Sequence, residues 1–193
     1  RGGALPVEMK EIQTSVIGPT LGLNAMEKAV DAAKIGLALV VLFLIIYYKL
    51  PGFIASMSLS LYASLLLIIL NAFGATLTLP GIAGLVLSLG MAVDANVIIF
   101  ERLKEELKNG KTVRSSLNFG YQRAMRTIID ANITTLIAGV VLYNFGQGPI
   151  KGFAITLMIG IVASMFTAII ITKAILMNGL VFDIFNNKKF YRA

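Results

Sequence analysis

Residues 84–106 read GLVLSLGMAVDANVIIFERLKEE, and they decide the fold because the stretch is apolar enough for a membrane yet contains Asp94 and Asn96. The apolar run and its flanks predict a membrane-spanning helix over about 80–100. Asp94 precedes Glu101 by seven residues, about 10 Å of helical rise, so it lies inside the span but near its charged end. A charge at this depth costs about 3 kcal/mol, so it is rarely present without a function.

The composition excludes most other classes of protein. The chain has 193 residues, of which 57% are hydrophobic and 14% are charged, whereas a soluble domain carries roughly 25% charged residues. It has no cysteine, which excludes disulfides and thiolate metal sites, and no histidine, the usual acid/base group near neutral pH. We therefore predict an all-α polytopic membrane protein without a metal or cofactor, in which any proton chemistry falls to Asp, Glu, Lys or Tyr.

The alternation of apolar runs and breaks predicts five membrane-spanning helices, over about 32–48, 53–73, 80–100, 127–145 and 150–177. Asn24 followed by Glu27 has the form of a helix N-terminus, so the transmembrane bundle is expected to cover 24–178.

The residues outside the five spans have their own predicted structures. Residues 101–126 are expected to form two cytoplasmic helices. The first continues the third span and ends at Gly110, and the second is capped by Thr112. Residues 179–193 are interpreted as a cytoplasmic tail. The alternating pattern in residues 1–23 predicts a short β-strand and a turn, and we interpret them as the end of a periplasmic domain that precedes this chain.

The distribution of lysine and arginine predicts the orientation. Residues 101–126 contain seven of these residues, and Lys49 and the tail lie on the same side, whereas the loops at 74–79 and 144–149 contain none. By the positive-inside rule the basic side is cytoplasmic, so the N-terminal end is periplasmic and the C-terminus cytoplasmic. The net charge of +7 is then a topology signal that favours contact with membrane lipid and not with nucleic acid.

A helical wheel of the third span separates small from bulky side chains. One stripe is small: Gly81, Gly84, Ser88, Ala92 and Ala95. The opposite face, expected to contact lipid, is bulky: Val86, Leu89, Val93, Val97 and Phe100. Asp94 and Asn96 lie at the two borders of the small stripe, so both are expected to face protein. The fifth span repeats small residues every fourth position, from Gly152 to Thr172, which also predicts close helix packing.

The tripeptide Asp-Ala-Asn occurs twice, at 94–96 and at 130–132. The second copy opens the fourth span and supplies further polar candidates: Asp130, Asn132, Thr134 and Thr135. For Asp130 we favour an ion pair with Arg126, one turn earlier, over a functional role. For the threonines and serines of the spans, including those of the fifth span, we favour hydrogen bonds between helices.

Asp94 is interpreted differently because no lysine or arginine lies inside a neighbouring span to pair with it. An unpaired carboxyl group in hydrocarbon favours its protonated form, so we predict that Asp94 binds and releases a proton. A cationic partner from another chain remains the alternative.

Three separated motifs also carry a resemblance: GMAVDANVIIFERLKEEL (90–107), DANITTLIAGVVLYNFGQGPIKGFAIT (130–156) and RGGALPV with GPTLG (1–7 and 18–22). Together they resemble the C-terminal membrane region of the SecD/SecF family of bacterial protein translocase subunits, within the resistance–nodulation–division superfamily. The resemblance implies five of the six helices of a SecD-type half-bundle, with a large periplasmic domain upstream, in the bacterial inner membrane. It implies an accessory subunit without enzymatic activity that uses the proton motive force, with protons as the coupling ion, to promote late translocation.

The resemblance further implies partners and a site. The partners are a SecF half, the SecY–SecE–SecG channel with SecA, and an unfolded secretory polypeptide. The family's intramembrane aspartate matches Asp94, and the nearest matches to its polar partners are Asn132, Thr134 and Thr135. Two alternatives remain open: an exporter of small molecules or lipids from the same superfamily, and a passive scaffold for the channel.

Overall fold

The computed structural model describes residues 19–74, 78–179 and 191, with side chains from residue 24 onward, and the described elements are helical. They are α1 (Pro19–Tyr48), α2 (Leu50–Ala72), α3 (Leu79–Lys108), α4 (Val113–Phe145), α5 (Pro149–Phe166), a π-helical segment (Thr167–Thr172) and α6 (Lys173–Gly179). Five helical stretches are long and apolar enough to cross a membrane, the last running from α5 through α6. The prediction of five spans is confirmed, whereas the predicted strand lies in residues outside the described ones.

Two predicted boundaries differ from the structure. The first helix begins at Pro19 and not after Asn24, because proline suits the first position of a helix, where its missing N–H is not needed. The first half of the charged segment 101–126 continues α3, as predicted. Its second half does not form a separate surface helix, because it is continuous with the fourth span in α4.

The turn between α3 and α4 follows the predicted chemistry. Gly110 adopts a φ of +85°, a conformation that glycine adopts without strain. The Thr112 hydroxyl oxygen then accepts a hydrogen bond from the Ser115 N–H at 3.3 Å, which caps α4. α3 and α4 therefore form one long antiparallel hairpin that extends beyond the apolar spans.

The bundle is organised around α3, which contacts α1, α2, α4 and α5. Its small stripe packs against the small residues of α5. The sequence predicts close packing for each helix separately, and the structure shows that the two pack against each other. A Cβ atom on Gly84 would lie 2.5 Å from Thr156 Oγ1, and one on Gly160 would overlap the Ser88 side chain. The Thr156 hydroxyl donates to the Gly81 carbonyl oxygen at 3.1 Å, which joins the two helices where they touch.

The end of the bundle that carries the turns at Lys49 and 109–112, together with α6, is called the basic end below. There Lys104 Nζ lies over the rings of both Tyr47 and Tyr48, 4.5 and 4.3 Å from their centroids. Its Nζ also donates to Glu101 at 3.0 Å. Phe100, predicted to face lipid, is instead buried with its ring 5.4 Å from that of Tyr48. The end of α1 covers this part of α3, which the wheel of a single helix cannot reveal.

One residue of the predicted tail joins the same core. Tyr191 is buried in the hydrophobic cluster of the basic end, and burial raises its pKa to about 12. Tyr191 therefore contributes a neutral aromatic side chain to the bundle.

The contact between α3 and α5 predicts that a large side chain lowers stability at Gly160 but not at Gly90. Gly160→Leu should lower the thermal midpoint of unfolding in detergent, because overpacking costs about 1–3 kcal/mol. The matched control is Gly90→Leu, since a Cβ on Gly90 meets no atom within 4 Å. Circular dichroism on both variants measures the effect, and equal midpoints would contradict the packing described here.

Candidate functional site

A groove between α3 and α4 brings the two Asp-Ala-Asn copies together. It encloses about 130 Å³ and is called the Asp94 groove; its walls are Met91, Asp94, Ala95 and Ile98 of α3 and Ile128, Ala131, Asn132 and Thr135 of α4. The carboxylate of the first copy thus shares a groove with the carboxamide of the second. Antiparallel helices place them at the same depth because both copies lie near the basic end of their spans.

The Asp94 carboxylate has no intramolecular partner in the part of the chain that the structure describes. Its side chain is exposed at the mouth of the groove, and no lysine or arginine lines the groove. The carboxyl group is therefore open to a proton, to water or to a group from another chain.

The two polar side chains on the α4 wall are held by their own helix. The Asn132 amide nitrogen donates to the Ile128 carbonyl oxygen at 2.7 Å, and the Thr135 hydroxyl donates to that of Ala131 at 3.2 Å. These bonds orient the side chains and leave the Asn132 amide with an acceptor oxygen and one further N–H donor. A protonated Asp94 can donate a hydrogen bond to such an acceptor, whereas an ionised Asp94 cannot.

The structure does not bring three other predicted site residues into the groove. Asn96 is buried on another face of α3, where its amide nitrogen donates to the Ala92 carbonyl oxygen at 3.1 Å. Asp130 and Thr134 are exposed on α4 outside the groove, and the Thr134 hydroxyl donates to the Asp130 carbonyl oxygen at 3.0 Å. Helix periodicity separates them from Asn132 and Thr135, since neighbouring residues point in different directions.

The interpretation of Asp130 as an ion pair with Arg126 is wrong. No ion pair joins them, and both side chains are exposed. An exposed pair gains at most about 1 kcal/mol against the entropy of ordering two side chains, so spacing alone does not enforce it. The expected bonds between helices are absent from Thr134 and Thr135, whose hydroxyls bond within α4. They are made instead by Thr156 to the Gly81 carbonyl oxygen at 3.1 Å and by Tyr62 to Ser88 at 2.9 Å.

An ion cluster that the sequence analysis missed holds the hairpin closed beneath the groove. The Glu106 carboxylate is only 1% exposed and lies 2.6 Å from Lys111 Nζ and 2.5 Å from an Arg123 guanidinium nitrogen. Nearby, a Cβ on Gly120 would lie 3.0 Å from the Leu103 backbone nitrogen, so α3 and α4 are in close contact. The signal was available, because Glu106 lies about five full turns after Ser88 and therefore on the small, inward stripe.

The chain can now be placed among known proteins. Residues 4–180 match the family model described as protein export membrane protein SecD/SecF, C-terminal. The chain belongs to the SecD/SecF family. Protein translocase subunit SecD of Acidaminococcus fermentans is 54% identical over 176 residues, which are 91% of this chain and 42% of that protein. SecD of Calditerrivibrio nitroreducens is 54% identical over 175 residues, 91% of this chain and 34% of that protein.

Solved structures of SecDF share the fold. The crystal structure of SecDF, a translocon-associated membrane protein from Thermus thermophilus, matches with a TM-score of 0.82 at 45% identity and covers 84% of this chain and 23% of that one. SecDF in its super-membrane-facing form matches with a TM-score of 0.77 at 47% identity, covering 83% of this chain and 22% of that one.

These comparisons identify the five-helix bundle as the C-terminal membrane region of a SecD-type protein. The chain spans less than half the length of the SecD relatives named above. The Asp94 groove lies between the third and fourth of the five spans.

The Glu106 cluster predicts that removing the charge of Glu106 lowers stability more than removing the charge of its neighbour Glu105. Glu106→Gln should lower the thermal midpoint, because it removes the shared counter-charge of Lys111 and Arg123. The control is Glu105→Gln, since Glu105 is 52% exposed and pairs only with Arg102. Hydrogen exchange at the 109–112 turn should also rise in Glu106→Gln alone, and no difference between the two variants would contradict a closing role for Glu106.

Proposed function

We propose that Asp94 is the intramembrane proton carrier of a SecD-type translocase subunit that uses the proton motive force to promote late translocation and release of secreted polypeptides. The observation that carries the proposal is the Asp94 carboxylate itself, which lies in a groove within the spans, has no intramolecular partner among the described residues and shares the groove with Asn132. A carboxyl group that alternates between protonated and ionised states needs both access and an acceptor.

The charge on Asp94 links the proton to the packing of α3 and α4. Protonation removes a charge from the hydrocarbon and allows the carboxyl group to donate to the Asn132 amide oxygen, which favours a closed groove. Loss of the proton restores a charge that needs water or a cation, which favours an open groove. The two states differ in their contacts, as a switch requires.

The surroundings of the groove favour movement of α4 relative to α3. α3 is packed against α5 through Gly84 and Gly160 with no room for a further atom. The Glu106 cluster holds the hairpin at the basic end. We therefore infer that the groove opens by a rotation of α4 about that closed end. The contact that yields is the one with α5 at Gly139, where the neighbour is the flexible Met158 side chain.

The energy of the proton gradient sets the scale of the work. One charge crossing 100 mV supplies about 2.3 kcal/mol, so each cycle of substantial movement requires several protons. The movement would be passed to a periplasmic domain through α1, because the first residues of α1 lie at the end opposite the basic end.

The proposal includes the setting in which the subunit works. The protein resides in the bacterial inner membrane, with its N-terminal end periplasmic and its basic end cytoplasmic. It acts without enzymatic activity of its own, with a SecF half, the SecY–SecE–SecG channel and SecA, on an unfolded secretory polypeptide. The relative from Thermus thermophilus, described as translocon-associated, supports this setting.

Neutralising Asp94 tests the proton role. Asp94→Asn, introduced into the full-length protein, should leave the protein assembled and remove the stimulation of export by the proton motive force in membrane vesicles. The matched control is Asp130→Asn, which makes the same change in the second Asp-Ala-Asn copy. Asp130 lies outside the groove, so this variant should retain the stimulation.

The assay measures protected secretory protein with ATP saturating, in the presence and absence of a proton gradient. Full stimulation in Asp94→Asn would refute the proton role. Equal loss in both variants would show that charge in the spans matters without any role for the groove.

A further inference from the structure

A second polar cavity lies at the basic end, between α4 and the start of α6. It encloses about 430 Å³, and its walls are Asn118, Tyr121, Gln122, Met125 and Lys173. It shares no residue with the Asp94 groove. Its polar groups are one ammonium, two carboxamides and a phenol, with no carboxylate, so the cavity is positively charged and rich in hydrogen-bond donors.

Lys173 is held in this cavity without a counter-charge in the described part of the chain. Its Nζ lies 5.6 Å from the centroid of the Tyr121 ring. The Tyr121 hydroxyl in turn donates to the Ala168 carbonyl oxygen of the π-helical segment at 3.5 Å. Lys34, Lys104 and Lys111 each pair with a carboxylate, whereas Lys173 forms no such pair and is only half-buried.

The two carboxamides face the same opening and are available for binding. Asn118 and Gln122 lie one turn apart on α4, and both are exposed. Neither side chain forms a hydrogen bond within the described residues. An ammonium with two neighbouring amide donors suits the oxygen atoms of a phosphate group, and the exposed Arg126 one turn further adds positive potential.

The depth of the cavity favours a lipid over a soluble phosphate. Lys151 and Lys173 flank residues 152–172, which carry no charge. Their separation of 22 helical residues corresponds to about 33 Å, close to the roughly 30 Å of a hydrocarbon core. Lys173 therefore lies at the level of lipid headgroups, and Met125 offers an apolar wall beside it.

We propose that this cavity binds the headgroup of an anionic phospholipid, with Lys173 as the charge partner and Asn118 and Gln122 as hydrogen-bond donors to its phosphate. The acyl chains run from the cavity into the bilayer past Met125. The site is separate from the proton role of Asp94, so Asp94→Asn should leave lipid binding unchanged.

Lipid retention by the full-length protein tests this site. The protein is reconstituted in vesicles of phosphatidylglycerol and phosphatidylcholine and extracted in mild detergent, and native mass spectrometry then measures the bound phosphatidylglycerol. Lys173→Gln should reduce retention about fivefold, the effect of one lysine at an anionic surface, and Lys173→Arg should restore it. The matched control is Lys151→Gln at the other end of the span, where Nζ lies 5.8 Å from the centroid of the Tyr143 ring.

Several results would overturn the proposal. The first two are unchanged phosphatidylglycerol retention in Lys173→Gln and an equal loss of retention in Lys151→Gln. The third is equal retention of phosphatidylcholine by the unaltered protein. The fourth is displacement of the lipid by inorganic phosphate, which would assign the site to a soluble ligand. Higher retention in Asp183→Asn, which removes the one carboxylate of residues 180–190, would instead assign the cavity to the chain itself. If Lys173→Gln does not fold, the double variant Asn118→Leu and Gln122→Leu tests the same cavity, with the same loss expected.

Discussion

The close contact between α3 and α5 is the constraint on which the rest of the bundle depends. Glycine at positions 84 and 160 lets the helices approach until a single added methyl group would collide with Thr156 or Ser88. In a membrane, lipid is as apolar as leucine, so helices associate through such tight packing and through hydrogen bonds. The bond from Thr156 to the Gly81 carbonyl adds a polar contact where the backbones are nearest.

This contact fixes the direction in which every other face of α3 points. With the small stripe turned toward α5, Asp94 faces α4, while Asn96 faces away from the groove and is buried. The Asp94 groove is thus a consequence of the packing elsewhere on the same helix. The Glu106 cluster completes the arrangement, because a buried carboxylate between Lys111 and Arg123 closes the hairpin that carries both walls of the groove. Glu106 and Asp94, both acids of α3, therefore have different surroundings. Glu106 is paired with cations of its own chain, whereas Asp94 has no such partner among the described residues.

Regular patterns in the sequence predicted the spans well. Five apolar runs, the glycine at 110 and the cap at Thr112 all depend on local chemistry, and the structure agrees with each. The errors have a common cause. The surroundings expected for Phe100, for Arg126 with Asp130, and for Thr134 and Thr135 came from the wheel or spacing of one helix. Partners on other helices, or exposure to solvent, determined where these side chains lie.

The sequence by itself determined that this is a five-span membrane protein, that its basic residues gather at one end and that Asp94 lies within a span, because hydropathy, charge and helical rise are properties of consecutive residues. Only the tertiary structure decided that Asp94 shares a groove with Asn132 and Thr135, and that Asp130 and Thr134 lie outside this groove. It also decided that Lys173 lies beside Asn118 and Gln122. Those neighbours belong to different helices, and the rotation of each helix about its axis is set by packing against the others.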